Sequence, residues 1–465
     1  MYVHLFAQYP VPTFDWYHVA QATMDMLPDV ALLEIFDFYV DQGPWTTAWY
    51  TLVHVCRKWR DVVFGSPRRL NLRLKCKAST PVRERLDVWP HLPIAIMGDG
   101  GKWGVDNLVA ALKHNDRICQ IDIWPVSSLQ MEKVLAAMQQ PFPALTYLKL
   151  MPGGTAAVIP ASFLGGSAPG LQELTLRCIS FSGLPRLLLS ATHLVRLILW
   201  KIPHSGYISP EAMVTCLFAL TRLETLDIRF ESPRSRLDRI TRRPPPLTRI
   251  LLPVLATLYF AGVSEYLEDF VGRIDAPLLK KLEMAFFYQL IFDIPQLTQF
   301  IGRTPEFKAH DNLRVLFSVG IVWVTVKELE YSISCGPSDW QLSSMAQLCS
   351  SFFPRALFPA LEHLYILEDG FLDWQDDIEN SQWLEVLHPF TIVKDFYISS
   401  TFIPRIAPAL QELVGERVME VLPALQTLFL EEPLPSGPVQ DPIGQFVAAR
   451  QLAGHPIVVS RWDGH

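Results

Sequence analysis

Pro143-Ala-Leu-Thr-Tyr-Leu-Lys-Leu150 decides the fold, because the chain writes this octapeptide pattern repeatedly. It returns as Pro169-Gly-Leu-Gln-Glu-Leu-Thr-Leu176, Thr192-His-Leu-Val-Arg-Leu-Ile-Leu199 and Thr221-Arg-Leu-Glu-Thr-Leu-Asp-Ile228. Further copies are Pro253-Val-Leu-Ala-Thr-Leu-Tyr-Phe260, Pro277-Leu-Leu-Lys-Lys-Leu-Glu-Met284, Pro359-Ala-Leu-Glu-His-Leu-Tyr-Ile366 and Pro423-Ala-Leu-Gln-Thr-Leu-Phe-Leu430. Val393-Lys-Asp-Phe-Tyr-Ile398 is a degenerate copy. Leading apolar positions Leu145, Leu171, Leu194, Leu223, Leu255 and Leu278 are spaced by 26, 23, 29, 32 and 23 residues. A unit of this length cannot bury its own apolar face and must stack on its neighbours.

The spacing brackets the leucine-rich-repeat period of roughly 20–29 residues, with insertions. Apolar side chains at the first, fourth and sixth positions turn inward, and those between them face the other side of a parallel sheet lining a concave surface. On this register the solvent-side positions include Tyr147, Lys149, Glu173, Arg177, Arg196, Trp200, Asp227, Arg229, Tyr259, Lys281, Glu283, His363, Tyr365, Asp395, Tyr397 and Phe429. Mixed aromatic and charged residues suit a protein-binding surface, with rigid anchors and polar discrimination. Tyr147, Arg177, Arg196, Trp200, Arg229, Tyr259, Tyr365, Tyr397 and Phe429 are the candidate target contacts. Ordinary solvated sheet decoration is the other reading of the same residues. Helical patterns at 128–138, 211–220, 263–274 and 339–353 supply a convex layer. The stretch 311–334 does not fit one repeat; it reads as two strands, 313–319 and 327–334, with a hairpin-like element between them.

The chain of 465 residues is half hydrophobic and 19% charged, so it buries a sizeable core. Its formal net charge of −7 argues against nucleic acid as the main partner, since a phosphate-binding surface needs clustered Lys and Arg. The 37 prolines punctuate an array of short elements. Seven cysteines form no Cys-x-x-Cys pair, so zinc spacing is absent and buried reduced thiols of a cytoplasmic or nuclear protein are expected. The N-terminus lacks a secretory signal, and the apolar windows 250–262 and 313–326 are too short or interrupted to span a bilayer. No His-Glu-x-x-His, Gly-x-Ser-x-Gly or phosphate-loop motif occurs. Gly98-Asp-Gly-Gly-Lys-Trp-Gly104 reads as a turn, and Asp376-Asp377 and Glu431-Glu432 as polar loop pairs. The loop from Arg234 to Pro246 is rich in Arg; it could take an acidic or phosphorylated partner through bidentate contacts, or simply be solvated. No catalytic residue, metal or cofactor is expected.

The segment before the repeats is different. Residues 1–23 show no clear period. Leu27-Pro28-Asp29 looks like a helix entry, and Val30, Leu33, Phe36 and Val40, with Leu32, Ile35 and Tyr39 beside them, make a wide apolar stripe. A second helical run carries Leu52, Val55, Cys56 and Trp59, and a third patch Val62, Val63 and Phe64. Leu32, Ile35, Phe36, Val55 and Trp59 exceed what so small a unit needs for its own core, which predicts a partner or packing on the repeats.

Leu27-Pro28, Leu32-Leu33, Ile35-Phe36, Leu52, Val55-Cys56 and Lys58-Trp59-Arg60 together resemble an F-box. In that family a trihelical module docks the Skp-type adaptor of a cullin–RING ubiquitin ligase. The resemblance implies adaptor-facing or fold-defining roles for Leu27, Pro28, Leu32, Leu33, Ile35, Phe36, Leu52, Val55, Cys56 and Trp59. The loop 41–49 is longer than in the most compact members. Later segments, among them Leu387-His-Pro-Phe390, Pro404-Arg-Ile-Ala-Pro-Ala-Leu-Gln-Glu-Leu413 and His455-Pro-Ile-Val-Val-Ser-Arg-Trp462, resemble the large F-box family expanded in mushroom-forming fungi. The fold expected is therefore α/β: an extension (1–23), a trihelical F-box (24–70), a linker with first solenoid elements (71–117), an irregular leucine-rich-repeat-like solenoid (118–450), and a closing strand and tail (451–465). The function implied is a substrate adaptor that binds a Skp-type protein and an unknown target protein. The alternative is a repeat scaffold whose N-terminal helices only cap the solenoid.

Overall fold

The computed structural model describes residues 27–42, 48–65, 72–88, 91, 93–97, 104–154, 156–181, 184–232, 248–287, 293–307, 311–318, 321–326, 329–334, 338–352, 360–368, 378–431 and 440–463. The extension 1–23, most of the loop 41–49, the glycine-rich turn up to Trp103, the Arg-rich loop, Asp376-Asp377, Glu432 and Cys335 lie outside the described residues.

Three helices come first: α1 Asp29–Gln42, α2 Ala48–Val55 and α3 Arg57–Gly65. Pro28 precedes α1, and its carbonyl accepts from the Leu32 N–H at 3.1 Å. The helices pack on one another through Leu32, Leu33 and Phe36 of α1, Leu52 and Val53 of α2, and Trp59, Val62 and Val63 of α3, all buried. The Phe36 and Trp59 rings meet at 4.7 Å between centroids. Of the residues expected to exceed the unit's own needs, Leu32, Phe36 and Trp59 are buried, while Ile35 and Val55 are exposed. The buried three belong to an apolar core that continues into the strands that follow.

The strands that follow are β1 Leu72–Leu74, β2 Ile94–Met97, β3 Ile118–Val126, β4 Tyr147–Pro152, β5 Ala157–Ile159, β6 Glu173–Arg177, β7 Ile179–Phe181, β8 Arg196–Ile202, β9 Thr225–Phe230 and β10 Ile250–Leu251. They continue as β11 Thr257–Gly262, β12 Ile274–Asp275, β13 Lys281–Phe287, β14 Asn312–Ser318, β15 Ile321–Val326, β16 Leu329–Ser334, β17 His363–Glu368, β18 Asp395–Ile398, β19 Thr427–Leu430 and β20 Val458–Arg461. Among the described residues, sixteen of these build one sheet in the order β1-β2-β3-β4-β6-β8-β9-β11-β13-β16-β15-β14-β17-β18-β19-β20. The pairs β5–β7 and β10–β12 stand apart from it. The sheet already begins at Leu72, ahead of the first legible repeat.

The recurrent Pro is a turn residue. Leu145, Leu171, Leu255 and Leu425 each donate a backbone N–H to the carbonyl three residues back, at 3.0–3.4 Å. Each bond closes a four-residue turn with Pro in its second position, where the locked φ is already correct. In the copy at Pro277 the residue making this bond is Leu279, to Ala276 at 3.2 Å. Leu279 is buried and Leu278 exposed, so the inward leading position is Leu279 and not Leu278 as the spacing suggested.

The sheet is parallel apart from one interruption, in the stretch 311–334 that does not fit a repeat. β14, β15 and β16 form an antiparallel meander, while β16 runs parallel to β13 and β14 parallel to β17. The chain skips two strand positions, lays down β14, and winds back to β16 beside β13. The two strands read from 311–334, and the hairpin-like element between them, are this meander. Helices Ser128–Ala137, Pro210–Leu217, Ser264–Val271 and Ser338–Phe352 fall where the sequence pattern puts them. One continuous apolar core runs from Leu32 to Ile457.

Candidate protein-recognition surface

The strands alternate as the repeat register requires: in β4, β6, β13, β17, β18 and β19 buried residues alternate with partly exposed ones. All nine candidate target contacts lie at incompletely buried strand positions on the open face. Strand register brings them together in two groups.

The first group centres on Arg229. Across neighbouring strands Ile198, Asp227, Tyr259, Glu283 and Glu330 stand in one row. Trp200 donates its indole N–H to Asp227 Oδ2 at 2.7 Å, and Arg229 Nε donates to Oδ1 at 2.8 Å. The Arg229 guanidinium lies 5.6 Å from the Trp200 ring and 5.3 Å from that of Tyr259. Lys281 covers Tyr259 at 5.3 Å and pairs with Glu283 at 3.6 Å. Asp227, expected to face solvent, is only 3% exposed, because Trp200 and Arg229 roof it. Burial pushes its carboxyl above the ordinary range, against the pull of Arg229 and Trp200. Beside this group Arg177 pairs in register with Trp200. Tyr147, Glu173 and Arg196 line up, with an Arg196–Glu173 ion pair at 3.9 Å. Burial, with Asp122 and Glu173 nearby, lifts the Tyr147 hydroxyl to about 12.

The second group is aromatic. Tyr365, Tyr397 and Phe429 occupy one row on β17, β18 and β19. Their rings stack at 4.1 Å and 4.3 Å, nearly parallel. The register reading missed two residues of this group. Arg314 lies in the meander, and Trp462 just beyond β20; an aromatic residue following a closing strand-like segment was the available signal for the second.

On the N-terminal unit the ten F-box-like positions divide. Leu32, Leu33, Phe36, Leu52 and Trp59 are buried, Leu27 and Cys56 half-buried, and Pro28, Ile35 and Val55 exposed. Phe38 and Tyr39, exposed and three and four residues after Ile35, share the outer side of α1 with it, and Val30 is exposed at the start of the helix. Phe38, 68% exposed, had not been singled out from the pattern.

Four of the thiols are shifted by their surroundings. Burial lifts Cys76 to about 12 and Cys119 and Cys216 to about 11, and raises Cys349 as well. Among the described residues no His, Cys, Asp and Glu group could hold a metal ion, and no helix is long and apolar enough to cross a membrane.

Neither a protein-family model nor a curated protein matches the chain. Among solved structures it is similar to the leucine-rich repeat-containing protein LegL7 from Legionella pneumophila, at 11% identity and a TM-score of 0.26, over 83% of this chain and 98% of that one.

Proposed function

We propose that the chain is a non-catalytic recognition subunit of a Skp–cullin–F-box type ubiquitin ligase in the cytoplasm or nucleus. The helices α1–α3 dock a Skp-type adaptor, and the open sheet face holds a target protein. The observation that carries this reading is the outer side of α1. Ile35, Phe38 and Tyr39 are exposed there, while Leu32, Leu33 and Phe36 of the same helix are buried. An apolar helix face of this kind is a site for a partner helix or groove. The chemistry belongs to other subunits; this chain raises the effective concentration of the target at the transferring enzyme.

The test is size-exclusion chromatography of the full chain with a purified Skp-type adaptor, followed by a titration. Ile35→Asp and Phe38→Asp should weaken the complex by at least about tenfold, the loss typical of a central interface anchor. Absence of a wild-type complex, or unchanged binding by both variants, overturns the proposal. One observation favours the capping alternative: Val62 and Val63 of α3 share an apolar core with Leu72 and Leu74 of β1. That alternative is supported if the adaptor does not bind and removal of 27–65 makes the remaining chain aggregate.

A further inference from the structure

The C-terminal end of the open face carries a pocket of ≈ 310 Å³ that the repeat pattern does not explain. Its lining includes Arg314, Tyr365, Glu368, Ser399, Glu431 and Trp462. The meander sets β14 beside β17, so Arg314 pairs in register with Tyr365, and its guanidinium lies 5.5 Å from that ring. Trp462 stands edge-on to Tyr365 at 6.0 Å and to Tyr397 at 5.6 Å. It is held there by its backbone N–H to the Leu430 carbonyl (3.1 Å) and its indole N–H to the Ile398 carbonyl (3.4 Å). The walls are therefore fixed before any ligand arrives.

Three features specify the occupant. First, the lining carries the carboxylate of Glu431, with Glu368 nearby, and its own cation, Arg314, already lies over the Tyr365 ring. Second, Glu431 Oε2 accepts the Ser400 N–H at 2.7 Å, which orients the carboxylate; its other oxygen has no hydrogen bond among the described residues. Third, Ser399 is 6% exposed, and its Oγ is buried without a hydrogen-bond partner. A buried hydroxyl left unpaired is costly, and a donor supplied by a ligand would satisfy it. Trp462, edge-on to both tyrosines, adds an aromatic surface that favours a cation.

We propose that this pocket takes an arginine side chain of the bound target segment. This deepens the reading of the open face as the target surface and rests on it. A guanidinium brings a planar group for Trp462 and several donors in a fixed fork for Glu431 and Ser399. An ammonium offers the charge without the plane. A phosphorylated residue would meet Glu368 and Glu431 as like charges.

The experiment is calorimetric titration of the full chain with acetyl-Gly-Arg-Gly-amide, with the lysine, citrulline and phosphoserine tripeptides in parallel. The arginine peptide should saturate a single site with a dissociation constant of about 1 mM, and the citrulline peptide should bind at least about tenfold more weakly. Glu431→Gln and Trp462→Ala should each weaken arginine binding by at least about tenfold. Leu129→Ser, on a helix away from the open face, should leave it unchanged. Glu431→Gln keeps the shape of the side chain, so an unaltered melting temperature separates lost recognition from lost folding. No saturable binding by the wild type, equal binding of citrulline, or preference for phosphoserine overturns the assignment. Such a failure beside intact adaptor capture removes the arginine pocket alone; loss of adaptor capture removes the ligase reading without touching the titration.

Discussion

Trp200 and Asp227, on neighbouring strands of the open face, are joined by an indole N–H donated to Oδ2 at 2.7 Å, and this bond helps keep a carboxylate almost wholly out of water. Replacing Trp200 by Phe keeps the ring and removes the donor. Asp227 then retains Arg229 but loses one of its two partners. A buried polar group left short of a partner costs about 1–3 kcal/mol. Trp200→Phe should lower the urea-unfolding free energy by that amount, and a variant as stable as the wild type would mean the bond contributes nothing net.

Acidity should act on the same group. Burial raises the carboxyls of Asp122, Asp227 and Glu330 above their ordinary values. The folded chain therefore binds these protons more readily than the unfolded chain, whose carboxyls titrate near about 4. Their contribution is fully present below that value and is lost as pH rises through the raised folded values. The stability difference between wild type and Asp227→Asn should accordingly move against the wild type as pH rises across this window, then level off. A difference that is flat, or that moves the other way, contradicts a raised Asp227.

The repeat was legible because Pro143-Ala-Leu-Thr-Tyr-Leu-Lys-Leu150 encodes two things at once. Pro fixes the turn, and Leu145, Leu148 and Leu150 fix the inward face; all three are buried. Where one cue doubled, as in Leu278-Leu279, spacing alone picked the wrong residue. Strands β1 and β2, three and four residues long, gave too short a pattern to read. The aromatic row was visible as Tyr365, Tyr397 and Phe429, but the pocket beside it was not. Arg314 reaches Tyr365 only because the meander reverses the order of three strands, a tertiary choice with no local signature. On α1 the periodicity marked Leu32, Ile35 and Phe36 alike as apolar, and only the packing of Phe36 against Trp59 separates inside from outside.

The aromatic row should carry stability as well as recognition. Tyr397 is the middle ring, stacked on Tyr365 at 4.1 Å and on Phe429 at 4.3 Å. Each such pair contributes about 0.5–1.5 kcal/mol beyond area burial. Tyr397→Ala breaks both stacks and should cost roughly 1–3 kcal/mol on that basis. Tyr397→Phe keeps the rings and should stay close to the wild type. Urea titrations of the two variants check this, and equal losses would assign the effect to the hydroxyl instead of the stack.

Phe36 and Ile35 are neighbours in sequence with opposite fates, so they separate folding from docking in the N-terminal unit. Phe36 is fully buried against Trp59, whereas Ile35 is 43% exposed. Truncating a buried aromatic to Ala costs about 3–5 kcal/mol, as much as a unit of three short helices can lose before it opens. Phe36→Ala should therefore bring rapid proteolysis within 27–65 while the sheet from Leu72 onward stays protected. Ile35→Asp removes no core atom and should leave the cleavage pattern and the helical signal of the wild type intact, yet lose the adaptor. If Ile35→Asp is cleaved as fast as Phe36→Ala, the outer side of α1 is structural, and the docking reading loses the observation that supports it.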